Sequence, residues 1–206
     1  MPRHRVKIAL SGLAQLGAAA LLALGASVHA VDLATAQDPD SGLTTTTVRD
    51  TSLTLSVAET TPAAVAELLA RFGLPTGATS AFATSCVVAV SAENTRPYGS
   101  EPVLLDLRRW RVIAGESRPR PVAKPGDWLD RWQALKLTRA ARTGLRWALM
   151  PPFALLASGD RVGGLVALDA EPGSRVDLRV EWRYGQESQS VSVGDLQCAA
   201  GTAEEQ

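Results

Sequence analysis

Histidine and cysteine limit the chemistry this chain can carry. Histidine occurs twice, as His4 and His29, both within the first thirty residues. Those residues read as a leader: Arg3, Arg5 and Lys7 without an acid, then an apolar, uncharged run from Ile8 to Val28. Small-x-small sequences end at Ala30 and Ala36. This order describes a secretory signal peptide, expected over residues 1–30 and cut after Ala30 or Ala36. Retention as an anchor helix is the alternative, because the apolar run is long enough to span a bilayer. With the leader gone, no imidazole is left. Ser-His and Cys-His catalysis need it as base, and catalytic zinc and copper sites lean on it as ligand. The expectation is a chain that is not an enzyme and holds no metal or cofactor.

Carboxylate chemistry stays open, and a carboxylate-dependent hydrolase is one alternative. Asp127 and Asp130 lie nearest the tryptophans, but a helix N-terminus accounts for both. Asp38 and Asp40 with Ser41 and Gly42 offer too few oxygen ligands for a calcium loop. "GDRVGG" has the wrong glycine spacing for a phosphate loop and leads into a strand.

Cys86 and Cys198 are the only cysteines. In an oxidising compartment such a pair reads as one disulfide. Each lies in or beside an alternating apolar run, and no C-x-x-C is present to suggest redox work. The bridge would close a loop of about a hundred residues, worth on the order of 4–5 kcal/mol in the chain-entropy model.

Charge is uneven along the chain. Three of the 21 Lys and Arg lie in the leader and none of the 21 acids does, so the remainder carries −3. Residues 105–147 hold 11 basic and 4 acidic side chains, a local +7, which leaves −10 elsewhere. Arg outnumbers Lys there by nine to two, which suits bidentate contact with carboxylate or phosphate. The candidate binding residues are Arg108, Arg109, Arg111, Arg139, Arg142 and Arg146, with Trp128 and Trp132; Arg118, Arg120 and Arg131 belong to the same basic segment. The competing reading is pairing within the chain plus a solvated face. The expected partner is an envelope protein, with an anionic lipid or glycan as alternative. Export argues against nucleic acid, and no transmembrane helix is expected after signal removal. Tryptophans at strand or helix spacing usually fill a core. Trp128 and Trp132, following a proline-rich loop, are the expected exceptions and could stack on carbohydrate.

These residues must be positioned by a mainly β chain. The pattern gives a leader over 1–30, a flexible segment over 31–50, one β-rich domain over 51–199 with a helical insert near 115–143, and a tail at 200–206. Leu53, Leu55 and Val57 alternate as a strand. Thr61 caps a helix that starts at Pro62 and stops at Gly73–Pro75. Strands are read over Ser80–Asn94 and Val103–Ala114, with a bulge near Arg108–Arg109. Trp128, Trp132 and Leu135 share a helical face that turns cationic at Arg139. That change, with Gly144, predicts a helix near 126–142 followed by a strand at 144–150 in which Leu145, Trp147 and Leu149 share a face. In "VDLRVEW" one face is apolar and the other wet. Seven or eight short strands point to a two-sheet immunoglobulin-like sandwich with one or two inserted helices; an open α+β sheet is the alternative.

Two stretches carry a family resemblance. "CVVAVSAENTRPYGSEPVLLDL" (86–107) and "FALLASGDRVGGLVALDAEPGSRVDLRVEWRYG" (153–185) resemble hairpins of secreted immunoglobulin-like, telokin-like domains. The insert at 115–143 departs from that pattern. The resemblance implies partner binding or support of an assembly, and it transfers no catalytic residue. The expected function is an exported, non-enzymatic binding or assembly-accessory domain in the periplasm or secreted. A carbohydrate or anionic-ligand binder is the alternative.

Overall fold

The computed structural model describes residues 31–200. The expected leader and residues 201–206 of the expected tail lie outside them. In chain order the first strands are β1 (Asp32–Gln37), β2 (Thr44–Arg49) and β3 (Leu53–Glu59), followed by helices α1 (Pro62–Arg71) and α2 (Thr76–Ala83). Next come β4 (Cys86–Asn94), β5 (Val103–Asp106), β6 (Arg111–Ile113) and the two-residue β7 (Arg120–Pro121). Helices α3 (Pro125–Arg131) and α4 (Arg139–Ala148) precede β8 (Phe153–Leu156), β9 (Arg161–Leu168), β10 (Arg175–Tyr184) and β11 (Glu187–Gln197).

The strands form two antiparallel sheets. The first has the order β1-β2-β3-β4-β9. The second is built on β10, which pairs β11 along its whole length. It also pairs β6 through Asp177–Arg179 and β5 through Trp182–Tyr184. β7 continues from β6, and β8 from β5. The fold is the expected mainly β, two-sheet sandwich with inserted helices.

Alternation sets this packing. In β10, Val176, Leu178, Val180 and Trp182 are buried while Arg175, Asp177 and Arg179 are exposed. Inward side chains of both sheets, Leu55, Val57 and Val90 against Leu105, Leu178 and Val180 among them, make one core. A second core lies on the other face of the first sheet. There Val87, Leu165 and Ala167 meet Leu69 of α1, Phe82 of α2, Trp128 of α3 and Leu145 of α4. The molecule is therefore layered as helices, first sheet, second sheet, and β4 and β9 bury residues on both faces. The Cys86–Cys198 disulfide forms, with Cα atoms 4.8 Å apart. It ties β4 of the first sheet to the residue after β11 of the second.

Four local expectations need correction. The segment expected to be flexible over 31–50 is a hairpin, β1 with β2, joined to β3. Its threonine run is β-branched and suits extended backbone, and Thr46 and Val48 are buried. Asp38 closes the turn by accepting the amides of Asp40 and Ser41 and the Ser41 hydroxyl. Residues 80–83 belong to α2, because Phe82 fills the helical core; the strand starts at Cys86. The bulge expected at Arg108–Arg109 is a 3-10 turn over Leu107–Arg109, begun by Asp106 accepting the Arg108 amide.

The fourth correction concerns 126–150. The helix breaks at Lys136, which takes φ 45°, not at Gly144. Thr138 then caps α4 by accepting the Ala141 amide at 3.1 Å. Ala141, Gly144, Leu145 and Ala148 are buried at helical spacing, so residues 144–148 are helix, not strand. Gly144 sits where α4 crosses the end of α1: a Cβ there would lie 2.1 Å from the Phe72 carbonyl oxygen.

Candidate functional site

The basic segment divides once its partners are known. Arg108 is held by Asp106, Nη2 to Oδ2 at 2.8 Å, and Arg109 pairs with Glu181. Arg111 Nη1 donates to the carbonyls of Arg108 and Trp110 at 2.6 and 2.8 Å. Arg120 meets Asp169 at 3.2 Å. Arg131 lies over the Trp128 ring, 4.8 Å from its centroid. The Arg108 hydrogen bond holds the Asp106 carboxyl below the usual carboxylate range. Asp106 in turn raises the Arg108 guanidinium. These arginines are engaged within the fold, as the competing reading expected.

Arg139, Arg142 and Arg146 are different. All three are exposed on α4. Among the described residues none of them forms an ion pair. Their i, i+3, i+7 spacing puts them on one face, spanning about 10 Å along the axis. Arg108 and Arg109 sit in the turn between β5 and β6, and Arg111 begins β6, in the second sheet. The structure thus separates the two halves of the predicted set into different layers.

The tryptophans also part from expectation. Trp128 and Trp132 are each 5% exposed. Their rings lie 5.3 Å apart and pack on Phe82 at 4.7 and 6.2 Å. They are core, not a stacking surface, because α2 and α4 close over the helix that carries them. The Trp128 indole N–H is enclosed without a hydrogen-bond partner among the described residues. Trp110 and Trp182 are core as well, donating to the Glu181 carbonyl and the Ser52 hydroxyl. Trp147, read from sequence as sharing a strand face with Leu145 and Leu149, is on a helix and 74% exposed. It follows Arg146 on α4. The small residues Ala141, Gly144 and Ala148 were the available signal, since they mark the buried side of a helix and leave Trp147 outside.

Among the described residues no group of three or more His, Cys, Asp or Glu is placed to hold a metal ion. Asp127 accepts the Lys124 amide at the start of α3, the end-of-helix role that its position suggested.

No family model matches the chain, and no curated protein matches it. Among solved structures, a similar chain is that of "a putative lipoprotein (ycdA)" from Bacillus subtilis, at 10% identity and a TM-score of 0.34. The alignment covers 81% of this chain and 34% of that one, so this chain spans about a third of its length. A likeness of that size carries no argument about function.

Proposed function

We propose that this is an exported, non-enzymatic binding or assembly-accessory domain and that α4 meets a protein partner. The observation that carries the reading is the contrast within one basic segment. Arg108, Arg109 and Arg120 have acidic partners in the fold; Arg139, Arg142 and Arg146 share one exposed face and form no ion pair among the described residues. Trp147 beside them adds a large exposed ring, and Trp and Arg are the side chains that most often dominate protein interfaces. The buried disulfide suits an oxidising compartment, as does the leader-like start. No helix of the described residues is long and apolar enough to cross a membrane. The likeness of 86–107 and 153–185 to secreted immunoglobulin-like domains supports the same role.

Clustered charge steers encounter and makes association sensitive to salt. A photo-crosslinker at the exposed Thr143 is expected to capture one discrete envelope protein in intact cells. Replacing Arg139, Arg142 and Arg146 with Glu is expected to abolish that product while circular dichroism stays native. Trp147→Ala should weaken the complex about tenfold, roughly 1.4 kcal/mol. An undiminished crosslink in the triple variant would refute the reading. Exposure of Trp147 next to Arg146 favours an anionic glycan as the second reading. Binding of acidic glycans on an array, lost in the same variant without any protein crosslink, would select it.

A further inference from the structure

Two hollows flank Leu129 of α3. One, about 330 Å³, is lined by Leu129, Trp132, Leu137, Lys136 and Arg142, with Asp130 as its acid. The other, about 380 Å³, is lined by Pro125, Gly126, Leu129, Arg146, Pro151 and Pro152. Leu129 belongs to both. The two arginines are one turn apart on α4, about 6 Å along its axis. Arg139 lines neither hollow. The seam between α3 and α4 thus combines an apolar floor with two guanidiniums that form no ion pair among the described residues.

A surface of this kind rewards a ligand that supplies both chemistries at once. Apolar side chains gain by covering Leu129, Leu137 and the prolines. Carboxylates gain charge-assisted hydrogen bonds from the guanidiniums. Two arginines one turn apart on α4 suit carboxylates that are likewise one turn apart on a facing helix. A single-chain amphiphile brings one charged head and would satisfy one arginine.

We infer that the partner enters the α3–α4 seam as an amphipathic helical segment, its apolar ridge over Leu129 and its carboxylates, one turn apart, on Arg142 and Arg146. This rests on the reading of α4 as a protein-binding face and narrows it to one side of that helix. Asp130 then disfavours a third carboxylate at that end. The mode is helix-in-groove recognition.

The test uses a fluorescein-labelled amphipathic helical peptide with leucines on one ridge and glutamates four apart beside it, titrated by anisotropy against the mature chain. Binding is expected to weaken as salt rises. Arg142→Glu and Arg146→Glu should each weaken it at least about tenfold, and Arg139→Glu, which lines neither hollow, should weaken it less than either. Leu129→Gln should weaken it about fivefold with native circular dichroism. A peptide with lysine for glutamate, or with serine for leucine, should fail to bind. Equal losses from Arg139→Glu and Arg142→Glu would overturn the inference, as would binding of the serine peptide. Absence of peptide binding overturns it too. If the Thr143 crosslink persists in that case, the protein-partner reading stands and only the seam is lost. Phosphatidylglycerol vesicles that bind the mature chain through Arg142 and Arg146 while the peptide does not would replace the peptide with a membrane surface.

Discussion

Gly144 illustrates how a single residue is set by its neighbour. A methyl group there would lie 2.1 Å from a backbone oxygen of Phe72, so α4 or the end of α1 would have to move. Ala is the better helix former by about 1 kcal/mol, yet overpacking against fixed backbone costs about 1–3 kcal/mol. Gly144→Ala should therefore lower the urea midpoint; a raised midpoint would mean that the contact yields easily. Glycine both breaks helices and permits close approach, and sequence alone does not say which, which is why the boundary was misplaced there. Asp106 gives a pH dependence. The residue is 8% exposed, and the Arg108 hydrogen bond depresses its native pKa below the unfolded value. A depressed acid contributes stability that is complete above its unfolded pKa, about 3.9, and lost as pH falls through the native pKa. Wild type should exceed Asp106→Asn in stability at neutral pH, and the gap should close below about pH 4. A gap that is constant with pH would mean that the ionised form is not favoured.

At the scale of elements, one carboxylate joins both sheets. Glu59, at the end of β3, accepts the Thr44 amide of β2 at 2.9 Å and the Gln197 amide of β11 at 2.7 Å. In Glu59→Gln one of those amides faces an NH2 group instead of an acceptor, a loss of about 1–3 kcal/mol. Amide exchange at Thr44 and Gln197 should quicken beyond the global change; unaltered exchange at both would refute the link. The elements legible in the sequence were those with a clean period: β3, β4, β10 and α1 with its Thr61 cap. Those missed depended on distant support. The threonine run becomes β2 because β3 is there to pair with it, and α2 forms because Phe82 has a helical core to enter. The arginine segment was visible as composition. Which arginines are free was not, because Glu181 is 72 residues from Arg109 and no local pattern announces that pair.

For the molecule as a whole, the covalent constraint was foreseeable while the layering was not. Two cysteines, the only pair in the sequence, predicted the bridge. That helices would cover one face of the first sheet, and so enclose Trp128 and Trp132, depends on long-range packing. The bridge spans a sequence separation of 112 residues, for which loop closure gives roughly 4–5 kcal/mol. Cys86→Ala with Cys198→Ala should lower the unfolding free energy by up to that amount. Both cysteines are 1% exposed, so reductant should act at the rate of structural opening. Prompt reduction in native buffer would show that the bridge end opens locally. Of the five tryptophans, Trp110, Trp128, Trp132 and Trp182 are at most 5% exposed, against 74% for Trp147. The fold thereby isolates one indole to iodide, an anion that the adjacent guanidiniums concentrate. Collisional quenching of native emission becomes a label-free gauge of whatever comes to rest on that helix.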